Sequence, residues 1–362
     1  MGKLIQRLSV ILFIVGLGVL FSAVFDPYGV FHPKNCRDYN NLSVNQRYVK
    51  INYILDNPNK YDTLLFGSSR VGGIDVNNLN NEEYGNCYNM TYSGGTPVDH
   101  LEDLYYLIEN DAAPDRVLLG FDDGSIVSIN QNTHTNLLRR PYPYDGDYIR
   151  HYIDYLNPTV GFKALINGGF DNLSIMFSGM FNGRKKEYLY IDGQNSIEPY
   201  RSVENWLNVS EEEHIAMMSK IPKYPPVLSE EKCSKTRDTL FEIADLCAEN
   251  DIEIIFIAIP NHVSYFCGYS EEFVAFLCDL SQEIEFINFI GVNSVTTNPF
   301  NYYECEHFCP SAGDYVVSVL NGESLDQGPY DQYLGVVINR ENADDFAVVM
   351  LKNAAKYIKD HS

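Results

Sequence analysis

Basic residues are scarce in this sequence. It contains 26 Lys and Arg against 49 Asp and Glu, which gives a formal net charge of −23. A field of that sign repels phosphate groups, so the composition argues against nucleic acid as a partner and against a polybasic surface for anionic lipids. The plainest interpretation of the acidity is that it keeps a water-facing domain soluble.

The motifs of nucleotide and metal sites are also missing. Gly94-Gly95 precedes a predicted helix, but neither a G-x-G-x-x-G pattern nor the lysine of a P-loop accompanies it. Cys305 and Cys309 flank His307, yet no second C-x-x-C or His pair completes a zinc pattern. We therefore expect neither a metal nor a cofactor, and the sequence contains no internal repeat.

An uncharged apolar run stands near the N-terminus. Ser9–Phe25 is 17 residues long, Lys3 and Arg7 precede it, and Asp26 closes it. With the apolar residues just upstream, the run approaches the roughly 20 residues that a bilayer requires. Positive charge on the short side predicts a cytoplasmic N-terminus and an extracytoplasmic remainder.

A cleaved signal peptide is the alternative to a permanent anchor. Ser22-Ala23-Val24 is followed by the bulky Phe25, which makes a poor cleavage site. We therefore interpret residues 1–26 as a membrane anchor and residues 27–362 as an extracytoplasmic domain. The eight cysteines fit a compartment in which disulfides persist, although their spacing names no pairing.

The pattern of apolar runs predicts alternating strands and helices. A mostly parallel sheet covered on both faces, a three-layer α/β/α sandwich of the flavodoxin-like kind, follows from that alternation. The expected strands are Thr63–Phe66, Cys87–Thr91, Arg116–Phe121, Ile252–Ile259, Phe286–Ile290 and a short one after Leu334. The expected helices run from Ser43 to Asp56, from Thr96 to about Ile108, and over Ser229–Asn250, Glu271–Ile284 and Asp344–Asp360.

Residues 130–228 interrupt this alternation. They are rich in Tyr, Asn, Gly and Pro, and we interpret them as an insertion or cap on the main domain. The aromatic stretch Tyr188–Tyr200 could stack on sugars, but packing is the more common role of such residues. In parallel sheets the ligand site lies at the carboxyl ends of the strands. The glycine-rich turns Gly67-Ser68-Ser69 and Ser93-Gly94-Gly95 both follow predicted strands there.

A serine nucleophile and its base can be found in two separate pieces of the sequence. Ser69 follows the first strand directly, where an exposed turn would present its hydroxyl. Near the C-terminus, Glu304 precedes His307 by three residues, so the acid can lie on the same side of one turn and orient the imidazole. Taken singly, each piece is more often structural, a capping serine or a surface acid beside a satisfied His.

Together the two pieces resemble the SGNH (GDSL-type) hydrolase superfamily. The resemblance covers roughly residues 60–126 and 250–320. It aligns the Gly-Asp-Ser block with Gly67-Ser68-Ser69, which implies that Ser69 is the nucleophile. It aligns the glycine block with Asn89 through Gly94-Gly95, which implies that Gly94 and Ser69 supply oxyanion amides and that Asn89 borders the substrate. The Asp-x-x-His block corresponds to Glu304 and His307.

The third block departs from the superfamily pattern. Its Gly-x-Asn-Asp corresponds here to Gly120-Phe121-Asp122-Asp123. An Asn amide can donate to an oxyanion, whereas an ionised Asp122 cannot. Asp122 would need a raised pKa or another role, and backbone amides with a basic residue such as Arg70 could then bind the substrate. The substitution also leaves open a catalytically inactive protein that binds glycans or acts as a scaffold.

One branch of the superfamily is the most similar. A single N-terminal anchor, a Gly-Ser-Ser-Arg turn and a late Glu-x-x-His-Phe resemble the membrane-anchored DltD-, AlgX- and AlgJ-like proteins. The resemblance implies a single-pass protein of the cell membrane that moves acyl groups, such as acetyl, onto or off a cell-envelope polysaccharide or polymer. It also implies a membrane-bound O-acyltransferase as partner. Between transfer and hydrolysis we favour transfer, for which the insertion would bind the acceptor.

Overall fold

Six strands form the central sheet of the structure, which is a computed structural model describing residues 2–31, 44–143, 147–163, 165–166, 210–223, 225–325 and 328–361. The strands are β1 (Thr63–Phe66), β2 (Cys87–Asn89), β3 (Arg116–Phe121), β4 (Glu253–Ala258), β5 (Phe286–Asn288) and β8 (Val336–Ile338). Two further strands, β6 (Tyr302–Glu304) and β7 (His307–Phe308), pair with each other.

The sheet order is β2-β1-β3-β4-β5-β8. Pairs among the first five strands are parallel, and only β8 runs antiparallel, against β5. The prediction of an α/β protein with a mostly parallel sheet is therefore confirmed. Because β1 lies between β2 and β3, the chain changes direction across the sheet at the β1–β3 pair. In doubly wound sheets a ligand crevice opens at such a point, outside the carboxyl ends of the strands.

Helices connect most of the strands. They are α1 (Gly2–Phe25), α2 (Gln46–Asp56), α3 (Asn81–Tyr84), α4 (Pro97–Glu109), α5 (Asp123–Val127), α6 (Tyr148–Tyr155), α7 (Glu211–Met218), α8 (Glu230–Glu249), α9 (Val263–Phe266), α10 (Ser270–Leu280), α11 (Pro310–Leu320) and α12 (Ala343–Asp360). Short 3₁₀ turns lie at Val76–Asn78, Thr133–Thr135 and Pro299–Asn301.

The start of α4 shows how the sequence sets a boundary. The Thr96 hydroxyl accepts from the Asp99 amide at 3.3 Å, and the Asp99 carboxylate accepts from the Thr96 amide at 3.0 Å. This reciprocal cap satisfies donors that the first helical turn would leave unpaired, and Pro97 occupies a position where no amide is needed. The predicted start of this helix is confirmed.

Two compact units make up the chain. One contains residues 1–56 and 132–192, and the other contains residues 57–131 and 193–362. The second unit holds the whole sheet, whose buried strands β1 and β3 pack with the flanking helices into an apolar core. Of the predicted insertion, residues 167–209 lie outside the described residues, and with them the Tyr188–Tyr200 stretch.

The first unit begins with α1, which is long and apolar enough to cross a bilayer. Its 24 residues contain an 18-residue window of mean hydropathy 2.7, and the helix extends beyond the predicted apolar run at its N-terminal end. The described cysteines, in contrast, form no disulfide bond with one another. Each of the seven that the described residues include is a free thiol, and Cys36 lies outside those residues.

Candidate active site

The turn after β1 presents Ser69 at the carboxyl edge of the sheet. Gly67 has φ +155°, and a methyl group on its α-carbon would overlap the Val71 side chain, so the chain can turn here only with glycine. The turn then closes by hydrogen bonds from the Val71 amide to the Ser68 carbonyl and from the Gly72 amide to the Ser69 carbonyl, at 3.0 and 3.3 Å.

His307 and Glu304 lie opposite each other on a β-hairpin. They are paired residues of β7 and β6, so the three-residue spacing is bridged by a hairpin turn and not by a turn of helix as the spacing suggested. The Glu306 amide in that turn donates to Glu304 Oε2 at 2.9 Å and fixes the carboxylate. The juxtaposition of acid and imidazole is the expected one, but cross-strand pairing produces it.

The structure brings Ser69, His307 and Glu304 into one hydrogen-bonded relay. Ser69 Oγ lies 3.0 Å from His307 Nε2, and His307 Nδ1 contacts Glu304 Oε1. An ionised carboxylate can only accept, so Nδ1 carries the proton and Nε2 is left to accept from the serine hydroxyl. This is the tautomer that a general base requires.

The electrostatics of Glu304 keep it ionised. Burial alone would raise the pKa of its carboxyl, but the hydrogen bond and charge of His307, the Glu306 amide and the charge of Arg70 together outweigh burial, so the pKa lies below its ordinary value. The His307 and Glu304 side chains are 18% and 31% exposed. The relay is therefore partly open to solvent.

The Ser69 amide is available as an oxyanion donor. Within the part of the chain that the structure describes, it donates to no acceptor, although its neighbours Arg70 and Val71 both donate within the turn. A backbone amide directly beside the nucleophile is the usual first donor to a tetrahedral oxyanion. The free amide is therefore a structural counterpart of the role predicted for Ser69.

The second glycine-rich turn packs against the first. The Tyr92 amide donates to the Gly67 carbonyl at 3.3 Å, and a methyl group on the α-carbon of Gly95 would lie 3.1 Å from the oxygen of the same carbonyl. Gly94, with φ +67°, is thereby held beside the nucleophile turn. Asn89 is buried behind this turn, where its Oδ1 accepts from the amide and the hydroxyl of Thr91 at 2.9 and 2.5 Å.

Arg70 points away from the relay into a group of carboxylates. Its Nη1 donates to Asp122 Oδ2 at 2.7 Å and to Asp123 Oδ1 at 3.0 Å, and its Nη2 lies 3.0 Å from Glu306 Oε1. Burial would lower the pKa of this guanidinium, but the three carboxylates outweigh it and hold the pKa above its ordinary value. The geometry makes Arg70 a link between the nucleophile turn, the end of β3 and the His307 hairpin.

Asp122 has both carboxylate oxygens in use. One accepts from Arg70, and the other accepts from the Ser125 amide at 3.2 Å as the N-cap of α5. An ionised carboxylate in these contacts offers no proton to an oxyanion. The contacts of Asp122 therefore agree with the expectation that this residue, unlike an Asn, does not donate to an oxyanion.

Asp123 forms the buried centre of the same cluster. Its carboxylate accepts from Asn261 Nδ2 at 2.7 Å, from the Tyr269 hydroxyl at 3.0 Å and from the Tyr265 hydroxyl at 3.2 Å. Burial, with the adjacent charge of Asp122, raises the pKa of Asp123 to about 7 despite these donors and Arg70. We call the group of Arg70, Asp122, Asp123, Glu306, Asn261, Tyr265 and Tyr269 the Arg70 cluster.

The sequence singled out Arg70 and the Asp122-Asp123 pair but did not predict that they meet in one cluster. The available signal was the acidic pair after β3 together with a basic residue after β1, since both strands end at the same edge of the sheet. Nothing in the sequence pointed to Tyr265, Tyr269 or Glu306.

His262 lies outside this cluster. It follows β4, caps α9 and lies against the Tyr302 ring, and burial lowers its pKa to about 4.

Glu304, Glu306 and His307 could together be considered as metal ligands, since their donor atoms lie within 4.8 Å of one another. Each is already engaged, however. Glu304 accepts from His307, and Glu306 is paired with Arg70. A cation bound here would have to displace both contacts, so the donor set fits a proton relay better than an ion.

Comparison with known proteins finds no family model that matches this chain and no curated protein that matches it.

Proposed function

We propose that this chain is a membrane-anchored serine acyl-group enzyme with an SGNH-like fold. The observation that carries the proposal is the relay from Ser69 through His307 to Glu304, at the switch point of a doubly wound sheet. The three residues come from distant parts of the chain, since Ser69 and His307 are separated by 238 positions. Capping or surface roles would not require these residues to meet.

The first half of the reaction forms an acyl-enzyme. Ser69 Oγ attacks the acyl carbonyl carbon while its proton passes to His307 Nε2, and the ionised Glu304 stabilises the imidazolium. The Ser69 amide donates to the oxyanion, with Gly94 as the second amide. When the tetrahedral intermediate collapses, the bond to the donor oxygen breaks and the departing group takes the proton from His307.

The second half returns Ser69 to its free state. A water molecule or a polymer hydroxyl attacks the ester carbon, and His307 accepts its proton and then delivers it to Ser69 Oγ. Water gives hydrolysis, and a sugar or polymer hydroxyl gives transfer. We favour transfer of a small acyl group, such as acetyl, to a cell-envelope polysaccharide. The resemblance to the membrane-anchored DltD-, AlgX- and AlgJ-like proteins implies a membrane-bound O-acyltransferase partner, which would supply the acyl group.

The compartment belongs to the same proposal. The apolar helix α1 would anchor the chain in the cell membrane, and Lys3 and Arg7 favour a cytoplasmic N-terminus. The relay would then face the extracytoplasmic side, where envelope polymers are modified.

A fluorophosphonate probe tests the activated serine in the full-length chain in detergent micelles. We expect wild type to label, and Ser69→Ala and His307→Ala to lose labelling, because the first lacks the nucleophile and the second lacks its base. Ser68→Ala is the matched control, since Ser68 occupies the same turn but contacts the Arg70 amide and not His307. It should label like wild type. Labelling of Ser69→Ala would show that another residue reacts.

A second candidate function is a catalytically inactive protein that binds glycans or serves as a scaffold. The observation that favours it is Asp122, which stands where the superfamily places an oxyanion donor and has both oxygens occupied. A folded wild-type chain that fails to label would favour this alternative.

If labelling succeeds, a second assay separates hydrolysis from transfer. It measures the release of acetate from an activated acetyl ester with and without a polysaccharide acceptor.

A further inference from the structure

Helix α1 is covered by protein along only part of its length. Residues 2–16 are exposed on every side, whereas Gly18, Ser22 and Phe25 are buried. The spacing of Gly18 and Ser22 places both on one face of the helix. The last two turns of α1 therefore have a packing partner within their own unit.

That partner is the helical segment 158–163. A side chain at Gly18 would overlap Pro158 and Phe162, and one at Gly161 would overlap the backbone of Gly18 and Ser22. The two helices thus approach closely through small residues, as helices do in apolar surroundings.

Two further contacts fix this approach. Ser22 Oγ donates to the Asn157 carbonyl at 2.7 Å, and the rings of Phe21 and Phe162 meet edge to face at 6.0 Å. Segment 158–163 is therefore bound to the end of α1.

The length of α1 determines the depth of this contact. Arg7 is the last charged residue before the apolar run, and Gly18 lies about 16 Å beyond it at about 1.5 Å per residue. Ser22 lies about 22 Å beyond it on the same basis. A hydrocarbon core is about 30 Å thick, so with Arg7 at one boundary both residues lie in the far half of the core. Whatever packs against them lies at the same depth.

The chain on either side of Asn157 exposes large apolar side chains among polar ones such as Arg150 and Thr159. Helix α6 exposes Ile149 and Ile153, four residues apart on one face, with Tyr148 at its edge. Ile166, just after segment 158–163, is exposed as well, and Lys163 has a long stem that can reach the headgroups. His151 and Tyr155, on the opposite face of α6, are buried in the unit.

We propose that residues 158–163, Ile166 and the Ile149–Ile153 face of α6 enter the leaflet at the C-terminal end of α1, as a second membrane contact. The occupant of this apolar surface is the lipid bilayer itself. The continuity of the surface with α1 favours lipid over a protein partner, because the segment that packs against Gly18 and Ser22 lies in the chain between α6, with Ile149 and Ile153, and the exposed Ile166. The inference rests on the proposed anchor and is independent of the chemistry at Ser69.

Tryptophan probes in the full chain, reconstituted in lipid nanodiscs, test this inference. Trp206→Phe removes the only native tryptophan. Single probes are then introduced as Leu12→Trp, Ile153→Trp, Ile166→Trp and Val348→Trp. All four positions are 60–74% exposed, so the larger ring can be accommodated without repacking. Quenching by brominated lipids is compared with quenching by aqueous acrylamide.

Each probe has a separate purpose. Leu12→Trp reports the anchor, and Val348→Trp gives the value for an exposed aliphatic position on α12 in the other unit. We expect Ile153→Trp and Ile166→Trp to show blue-shifted emission, stronger quenching by bromines near the headgroups and weaker acrylamide quenching than Val348→Trp. Leu12→Trp, which lies about 7.5 Å beyond Arg7 at about 1.5 Å per residue, should be quenched by bromines partway along the acyl chains.

The outcomes separate the two claims. If Leu12→Trp is quenched by lipid while Ile153→Trp and Ile166→Trp behave like Val348→Trp, the anchor stands and the second contact is wrong. If Leu12→Trp is not quenched by lipid, the anchor fails and the second contact fails with it. Fluorophosphonate labelling of Ser69 remains a separate readout of the proposed chemistry in either case.

Discussion

The relay and the Arg70 cluster lie side by side but differ in burial and charge. The relay is a chain of three side chains, and its imidazole and carboxylate remain partly exposed. The cluster contains one guanidinium and three carboxylates, and two of those carboxylates are 1–2% exposed. Consecutive residues, Ser69 and Arg70, belong to different networks.

The difference in burial suits the two networks to different roles: the partly exposed relay to chemistry and the buried Arg70 cluster to positioning. A relay with the proposed activity must stay accessible to a substrate, so few side chains can cover it. The cluster joins the ends of β1 and β3 to the hairpin that carries His307, and its burial makes those joints rigid. Substitutions in the relay should therefore impair reactivity with little effect on stability, and substitutions in the buried cluster should do the reverse.

The largest effect is expected at the acid of the relay. Glu304→Gln keeps the shape but removes the charge that holds the His307 tautomer, so the rate of fluorophosphonate labelling should fall by about 10³–10⁴-fold. Thermal unfolding should change little, since Glu304 is partly exposed. Stopped-time labelling and a melting curve on the same sample check both. A labelling rate near that of wild type would show that the Glu304 carboxylate is not needed to activate Ser69.

The cation of the cluster should have the largest effect on stability. Arg70→Met leaves three carboxylates clustered without their common partner, and the free energy of unfolding should fall by about 3–5 kcal/mol. Arg237→Met is the matched control, because Arg237 pairs with exposed Asp238 and Asp279 and should cost at most about 1 kcal/mol. Urea titration in micelles measures both. Equal losses would contradict a central role for Arg70.

The cluster should also make stability depend on pH. Because the pKa of Asp123 is raised to about 7 in the folded chain, the folded state holds a proton that the unfolded state releases above about pH 4. Stability from this group is therefore lost as pH rises from about 4 to about 7.

Asp123→Asn tests this dependence. The melting temperature of wild type should fall relative to that of the variant between pH 5 and pH 8, by on the order of 2–4 °C. Asp238→Asn, an exposed substitution, should follow the wild-type profile. Parallel profiles for wild type and Asp123→Asn would contradict the assigned titration.

The smallest effect is expected where the two networks meet. Glu306 is about one-third exposed and pairs with Arg70 from the hairpin turn. Glu306→Gln should therefore lower the free energy of unfolding by less than about 1 kcal/mol. The labelling rate should stay within a few-fold of wild type, because the amide of residue 306 still holds Glu304. A fall in labelling rate as large as that of Glu304→Gln would show that the relay and the Arg70 cluster act as a single network.

Local sequence was sufficient to place the sheet and the members of the relay. Strands such as Thr63–Phe66 and Arg116–Phe121 are short apolar runs that end at turn residues, and their bounds agree with the structure. Ser69 could be singled out because it follows such a run directly. His307 could be singled out only with Glu304, since a lone His carries no comparable signal.

Contacts between distant residues could not be predicted in the same way. Asp123 meets Tyr269 across 146 positions, and no periodicity or spacing encodes that pairing. The hairpin at Glu304 and His307 was also missed, because a spacing of three fits both a helical turn and a short β-turn. Partner choice at Arg70 depends on which strand ends become neighbours, which the sheet order alone decides.

Strands β3 and β4 pair in register from Arg116 with Glu253 to Phe121 with Ala258, although a long stretch of chain separates them. Loop-closure entropy grows only logarithmically, so doubling that stretch would cost about 0.6 kcal/mol. Lengthening or shortening the part of that stretch that belongs to the other unit, residues 132–192, would therefore carry little loop-closure penalty. Changes in length there would leave β1 and the β6–β7 hairpin, which position Ser69, Glu304 and His307, outside the altered piece of chain.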